Sequence, residues 1–384
     1  MNILYIAHTR DGSGARVALE NMVKGMIAKG HNVFVMSPAL DCKLSDNMRK
    51  IGATVLVAPV SMTVYPNVHN PIRWIGLLLR NIIRWQKAKR IILDTIVNNK
   101  IDIVHTNVGP MNIAPPVCRK LGIPHVWHIR EFQKELFLKF YWAPFLFKKE
   151  IRKKGNYNIA ITKSIFHYYS LRDNIDRVIY DGVFPKNVAE NQYTKQQRKK
   201  VVLFVGRVEE AKGTLDLIQA FVKFQQEHPE WKLLVVGAYN EHSLYYQSCK
   251  QISDTSTNIE FMGKRADVYE LMREARVLVM SSKREGFGFV TAEAMANGCL
   301  VIGRNTAGTK EQLDNGADLT GGEIALRYDN QDELLKQLEN AADHDYTDMQ
   351  ERAKKAVIEL YSLENASDKI ENYYKWIMKD YYGK

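Results

Sequence analysis

Apolar and polar positions divide the chain into two halves built on one plan. In the first half, short apolar runs (ILYIA, NVFVMS, ATVLVA, DIVHT, PHVWHI) alternate with helix-like segments such as 16–29 and 109–121. Buried strands alternating with helices predict a parallel, doubly wound α/β sheet. The pattern restarts near residue 200 with KVVLFVG, WKLLVVG, IEFMG, ARVLVMSS and CLVIG, again with helices between. The polar stretch 184–200, FPKNVAENQYTKQQRKK, reads as a linker. The expected organisation is therefore a domain over 1–183 and a second over 201–365. The helix-like tail of about 366–384 is a candidate to pack back on the first domain.

With 384 residues the chain is too long for one typical core, which agrees with two domains. Two sheets of this kind in tandem predict a cleft, and open α/β sheets take ligands beyond the carboxyl ends of their strands. The four cysteines, Cys42, Cys118, Cys249 and Cys299, are widely spaced and form no C-x-x-C pair. That argues against a disulfide framework or a zinc site and suits a reducing compartment. The opening MNILYIAHTR reads as a first strand rather than a signal peptide. No run approaches the ~18–20 apolar residues that cross a bilayer, so a soluble, cytoplasmic protein is expected. Charge is uneven: residues 1–190 hold 28 lysines and arginines against 13 acidic residues, +15, while the remainder balances at −4. Such asymmetry points to an anionic partner for the first half.

Two segments of the second half carry the chemistry. In VVLFVGRVEEAKGTLDLIQAF a strand ends at Gly206, and Arg207 and Lys212 lie in the turn before a helix starting near Gly213. Two cations beside a helix N-terminus suit a phosphate or diphosphate; the plain alternative is a solvated basic turn. In SSKREGFGFVTAEAMANG, Gly286 and Gly288 let backbone amides approach a ligand, and a helix is expected from about Phe289 to Asn297 with Gly298 as its stop. Glu285 and Glu293 bracket that turn. A nucleotide-sugar offers a polyol, a diphosphate and a ribose in series; amides and cations suit the middle, and carboxylates accept hydrogen bonds from hydroxyls at either end. Otherwise Glu293 faces solvent and Glu285 caps the helix.

These segments, with seven residues between Glu285 and Glu293, resemble the donor half of retaining glycosyltransferases of family 4, which have the GT-B fold of two Rossmann-like domains facing each other across a cleft. Further pieces agree in order along nearly the whole chain: DGSGAR, GHNVFVMS, DIVHTN, IAITKS before VIYDGV, and NIEFMGKRADVYELMREARVLVMSS. The resemblance implies that Arg207 and Lys212 bind the donor diphosphate and stabilise the leaving group. It implies that Glu293 holds the ribose hydroxyls, and that Glu285 contacts the donor sugar beside the amides of Gly286, Phe287 and Gly288. It also implies that the Gly12–Gly14 loop closes over the phosphates and that His128 reaches the sugar near the reacting centre. Arg130 and Glu131 are implied on the acceptor side. Attack on the face the leaving group departs from needs no enzyme nucleophile, and none is assigned. No metal and no other cofactor is expected: the one D-x-D match, Asp343-His344-Asp345, lies in a polar stretch far from the motifs and reads as a solvated loop. The chain departs from the family where Asp11-Gly12-Ser13-Gly14 replaces a glycine pair and ITKS replaces a serine–glutamate pair. Cys299 reads as a packed thiol.

Residues 70–94 hold six basic residues among two tryptophans and many aliphatics, and 134–155 repeat that character. Basic amphipathic segments lie on anionic membranes; alternatively the apolar face packs inward and the basic face is solvated. The expectation is a glycan or polyprenyl-linked glycan acceptor at the inner face of the plasma membrane, as in surface or exopolysaccharide synthesis. No nucleic-acid module is present, so nucleic acid is not expected. A nucleotide-sugar epimerase and a non-catalytic glycosyltransferase-like subunit are the alternatives. A dehydrogenase is disfavoured because GSGARV lacks the third glycine of G-x-G-x-x-G and the second strand ends in Met36-Ser37 rather than an acid.

Overall fold

The computed structural model describes residues 1–8, 14–66, 68–132, 144–187 and 198–383. The chain divides into two compact units, one of residues 1–182 and 363–384, the other of residues 183–362.

The first unit holds a seven-stranded parallel sheet in the order β3-β2-β1-β4-β5-β6-β7. Its strands are β1 (Asn2–Ile6), β2 (Asn32–Ser37), β3 (Thr54–Val57), β4 (Ile103–Thr106), β5 (His125–Ile129), β6 (Asn156–Ala160) and β7 (Arg177–Val178). Both faces of β1 are sealed because successive side chains point to opposite sides. Ile3 and Tyr5 join a core with helices Gly14–Ala28 and Leu363–Tyr382, while Leu4 and Ile6 join one with helices Pro71–Asn98 and Ala114–Leu121. Helix Leu363–Tyr382 buries Ile370, Tyr373, Tyr374 and Ile377, an i, i+3, i+4, i+7 stripe. It approaches helix Gly14–Ala28 at Gly25, where an added Cβ would lie 1.9 Å from Ser367 Oγ.

The second unit repeats the design with six parallel strands in the order β10-β9-β8-β11-β12-β13. These are β8 (Lys199–Val205), β9 (Lys232–Val236), β10 (Ile259–Gly263), β11 (Ala275–Met280), β12 (Leu300–Arg304) and β13 (Leu326–Tyr328). Strand order reverses between β1 and β4 in the first sheet and between β8 and β11 in the second. Such switch points are where doubly wound sheets bind ligands. Of the stretch 184–200, Phe184 bridges to Ser362, Lys199 opens β8, and 188–197 lie outside the described residues.

Candidate active site

The loops that leave β8 and β11 meet at the second unit's switch point. After β8 the chain runs through a single turn, Glu210–Lys212, to Gly213 at φ +65°, and helix Thr214–Phe224 follows. A Cβ at Gly213 would lie 2.2 Å from the carbonyl oxygen of Ser281, so only glycine permits this approach. The two loops are stitched by Ser281 Oγ donating to Lys212 O at 2.8 Å and by Lys283 N donating to Ala211 O at 3.0 Å.

This stitching brings Lys212 to Glu285. The ammonium donates to Glu285 Oε1, which also accepts from Ser282 Oγ at 2.7 Å. The lysine side chain is 26% exposed, so the pair is only partly withdrawn from water. Arg207 follows a different course: its side chain is 70% exposed and its guanidinium pairs with Glu209 at 3.0 Å.

Beyond Glu285 the backbone turns through Gly288 at φ +94° into helix Phe289–Ala296. Gly308 N donates to Glu285 O at 3.0 Å, and Gln312 Nε2 donates to Phe287 O and, at 3.1 Å, to Gly288 O. An added Cβ at Gly308 would lie 2.6 Å from Gly286 O, so helix Ala307–Thr320 braces the turn at close range. The Phe287 ring packs edge-on against Phe289 and Tyr361. Thr291 Oγ1, Thr309 Oγ1 and Gln312 Oε1 are buried here without a hydrogen-bond partner among the described residues. Glu293, one helical turn on, accepts from Tyr269 OH at 3.0 Å, and burial pushes its carboxyl above the usual range.

In the first unit, His128 near the end of β5 is 1% exposed. Its Nδ1 faces Arg130 Nη2 and His105 Nε2, each at 3.2 Å. Arg130 clamps Asp181 through Nη1 and donates from Nε to Asn107 O at 3.1 Å. Glu131 accepts from Gly109 N at 3.1 Å. Gly14 begins helix Gly14–Ala28, and Gly12 lies outside the described residues.

The structure thus joins Lys212, Glu285 and the Gly286–Gly288 turn in one place, and His128 with Arg130 in another. Sequence reading missed Ser281, Ser282, Gly308 and Gln312 around Glu285, and His105, Asn107, Asp181 and Tyr374 around His128. Ser281 and Ser282 stood within the quoted motif and their spacing to Glu285 was available. Gln312 and Tyr374 come from distant helices and left no local signal. In Asp343-His344-Asp345, Asp343 ends helix Gln331–Asp343 and Asp345 accepts from Thr347 N and Oγ1 at the next helix's start.

Residues 12–186 match the model of Glycosyltransferase Family 4, and residues 185–359 match that of Glycosyl transferases group 1. N-acetyl-alpha-D-glucosaminyl L-malate synthase of Bacillus anthracis is 27% identical over 208 residues, 54% of this chain and 53% of that protein. The chain spans about half the length of the curated relatives it matches. A crystal structure of a glycosyltransferase from Rickettsia africae superposes with a TM-score of 0.77 at 20% identity, covering 99% of each chain. HepE of Anabaena, solved in complex with UDP, gives 0.75 at 17% identity over 98% of this chain and 100% of that one. Two family models that together run from residue 12 to residue 359, on two doubly wound sheets of the GT-B kind, settle the affiliation: the chain belongs to the family 4 and group 1 glycosyltransferases.

Proposed function

We propose that the protein is a retaining glycosyltransferase that moves a sugar from a nucleotide-sugar to a hydroxyl of a glycan or lipid-linked glycan in surface polysaccharide synthesis. The observation that carries this reading is the Lys212–Glu285 pair at the β8/β11 switch point, beside the Gly288 turn. A cation and a carboxylate held side by side match the junction of a sugar and its diphosphate. When a donor binds, the ammonium turns to the phosphate oxygens and Glu285 to a sugar hydroxyl. Lys212 and the solvent-exposed Arg207 then stabilise the charge that grows on the leaving nucleoside diphosphate. The acceptor oxygen bonds to the anomeric carbon on the face the diphosphate leaves, and the departing phosphate oxygen takes the acceptor's proton. Tyr269 and Glu293 are assigned to the ribose, His128 to the donor sugar, and Arg130 and Glu131 to the acceptor side. No step requires a divalent metal.

The acceptor is proposed to lie at an anionic membrane on the cytoplasmic face. Support comes from helix Pro71–Asn98, whose buried residues all lie in its second half, from Trp85 onward. Its first half exposes Ile72 (82%), Ile75, Leu79 and Ile83, a 3.6-period stripe with Arg73, Arg80 and Arg84 along one side. No helix among the described residues is long and apolar enough to cross a membrane.

The test is incubation of a nucleotide-sugar panel with and without glycan and polyprenyl-linked acceptors, in the presence of a chelator. Transfer with retained anomeric configuration supports the reading. Rapid epimerisation of donor alone would favour an epimerase instead, and absence of any turnover would favour a non-catalytic subunit.

A further inference from the structure

Four aromatic and imidazole side chains, with one guanidinium at the end, join the C-terminal helix to His128 in one buried line. Tyr5 OH lies 3.1 Å from Tyr374 OH, which lies 2.5 Å from His105 Nδ1; His105 Nε2 lies 3.2 Å from His128 Nδ1, and Arg130 Nη2 lies 3.2 Å from the same nitrogen. All of these side chains are buried. Tyr374 belongs to helix Leu363–Tyr382, and nothing in the local sequence of β4 or β5 points to it.

The proton positions follow from one fixed donor. A guanidinium carries only N–H groups, so His128 Nδ1 must present a lone pair to Arg130. The neutral ring then carries its proton on Nε2. A charged ring would turn an N–H toward the arginine, and both burial and the Arg130 charge oppose that form. His105 Nε2 faces the same lone pair and carries a hydrogen, which leaves His105 Nδ1 to accept. Tyr374 is the donor within reach, and Tyr374 in turn accepts from Tyr5. The assignment is consistent from end to end. It terminates at His128 Nε2–H, which is buried without a hydrogen-bond partner among the described residues; Asp181 Oδ1 lies 4.0 Å away, beyond hydrogen-bond range.

We infer that His105, backed by Tyr374, joins Arg130 in positioning His128 as a neutral ring with its proton on Nε2, so that it meets the sugar as a hydrogen-bond donor. The part concerning the sugar rests on the function proposed above; the proton assignment does not. A ring fixed this way donates to a substrate oxygen and cannot take the acceptor's proton through Nε2. This leaves proton removal to the departing phosphate, in keeping with the absence of an assigned enzyme base.

Long-range proton–nitrogen correlation spectra of the whole chain, labelled with ¹⁵N at histidine and assigned by substitution, read the tautomers directly. The expected wild-type spectrum shows a bare Nδ1 and a protonated Nε2 for both His128 and His105. A protonated Nδ1 on His128 would overturn the inference whether or not the protein turns over any donor. The companion variants are Tyr374→Phe and Tyr5→Phe. Tyr374→Phe removes the donor to His105 Nδ1, so the His105 Nδ1 signal should shift to that of a bare nitrogen without a hydrogen bond. Its kcat should fall about fivefold, roughly what one hydrogen bond is worth, with the donor KM within about twofold. Tyr5→Phe leaves the Tyr374 proton in place and should leave the tautomers and kcat as in the wild type. If Tyr374→Phe keeps the wild-type His105 Nδ1 signal and kcat, the positioning role is lost. A wild-type enzyme with no glycosyl transfer would defeat the proposed function while the spectrum still decides the proton assignment.

Discussion

Lys212 and Glu285 sit 73 positions apart in the chain, yet their contact is fixed by backbone geometry in both flanking loops. Gly213 lets the first loop lie against Ser281, and Ser282 and Gly308 hold Glu285 from two sides. Replacing either member of the pair should separate their roles. On the proposed function, Lys212→Ala removes the cation that meets developing negative charge, and kcat/KM should fall by about 10²–10³. Nucleoside diphosphate affinity should weaken with it. Glu285→Gln weakens the proposed sugar contact and releases Lys212 from its partner. Turnover should drop at least ~10-fold while nucleoside diphosphate binds as tightly as before or more so. Steady-state kinetics with calorimetric titration checks both; equal loss of diphosphate affinity in the two variants would mean that the pair is a structural tie.

At the scale of elements, strands β4 and β5 bury three histidines, His105, His125 and His128, all with pKa lowered by burial, His125 to about 3. The folded chain therefore keeps these rings neutral where the unfolded chain, near the ordinary value of ~6.5, takes up protons. Because the unfolded state binds more protons, stability is unaffected above that value and declines as pH falls below it. Each histidine contributes up to about 1.4 kcal/mol per pH unit until its folded value is reached. Urea unfolding between pH 7 and 5 should show the decline for the first unit, and a flat profile would contradict it. Helix Pro71–Asn98 gives a second prediction at this scale. Its exposed stripe should bring the protein to vesicles rich in anionic lipid at low salt, and added salt should weaken binding. Ile75→Glu with Leu79→Glu should abolish flotation without unfolding, since both side chains face solvent. Failure of the wild type to float would leave the stripe without a membrane role. Within the second basic and aromatic segment, 134–143 lie outside the described residues, and helix Pro144–Ile151 buries Phe147 and Ile151.

For the whole molecule, the repeat of a doubly wound sheet was legible because most strands are uninterrupted apolar runs. Strand β6 was harder to see, since Asn156 and Asn158 break its run. Both are buried, and their amide nitrogens find tertiary partners: Asn156 Nδ2 donates to Glu150 O at 2.7 Å, and Asn158 Nδ2 donates to Asp176 Oδ1 at 2.9 Å. The glycine turn and the helix after Gly288 were likewise readable from local residue types. The pairing of Lys212 with Glu285, and the line from Tyr374 to His128, were not, because each depends on loops or helices brought together only by the topology. On the proposed function, the β8/β11 switch point grips a diphosphate. A crystal structure of the protein with a bound nucleoside diphosphate tests it most directly. Phosphate oxygens are expected within hydrogen-bond distance of Lys212 Nζ, with Arg207 turned from Glu209 toward them and the Lys212–Glu285 contact opened. Phosphates bound elsewhere, with that contact intact, would contradict it.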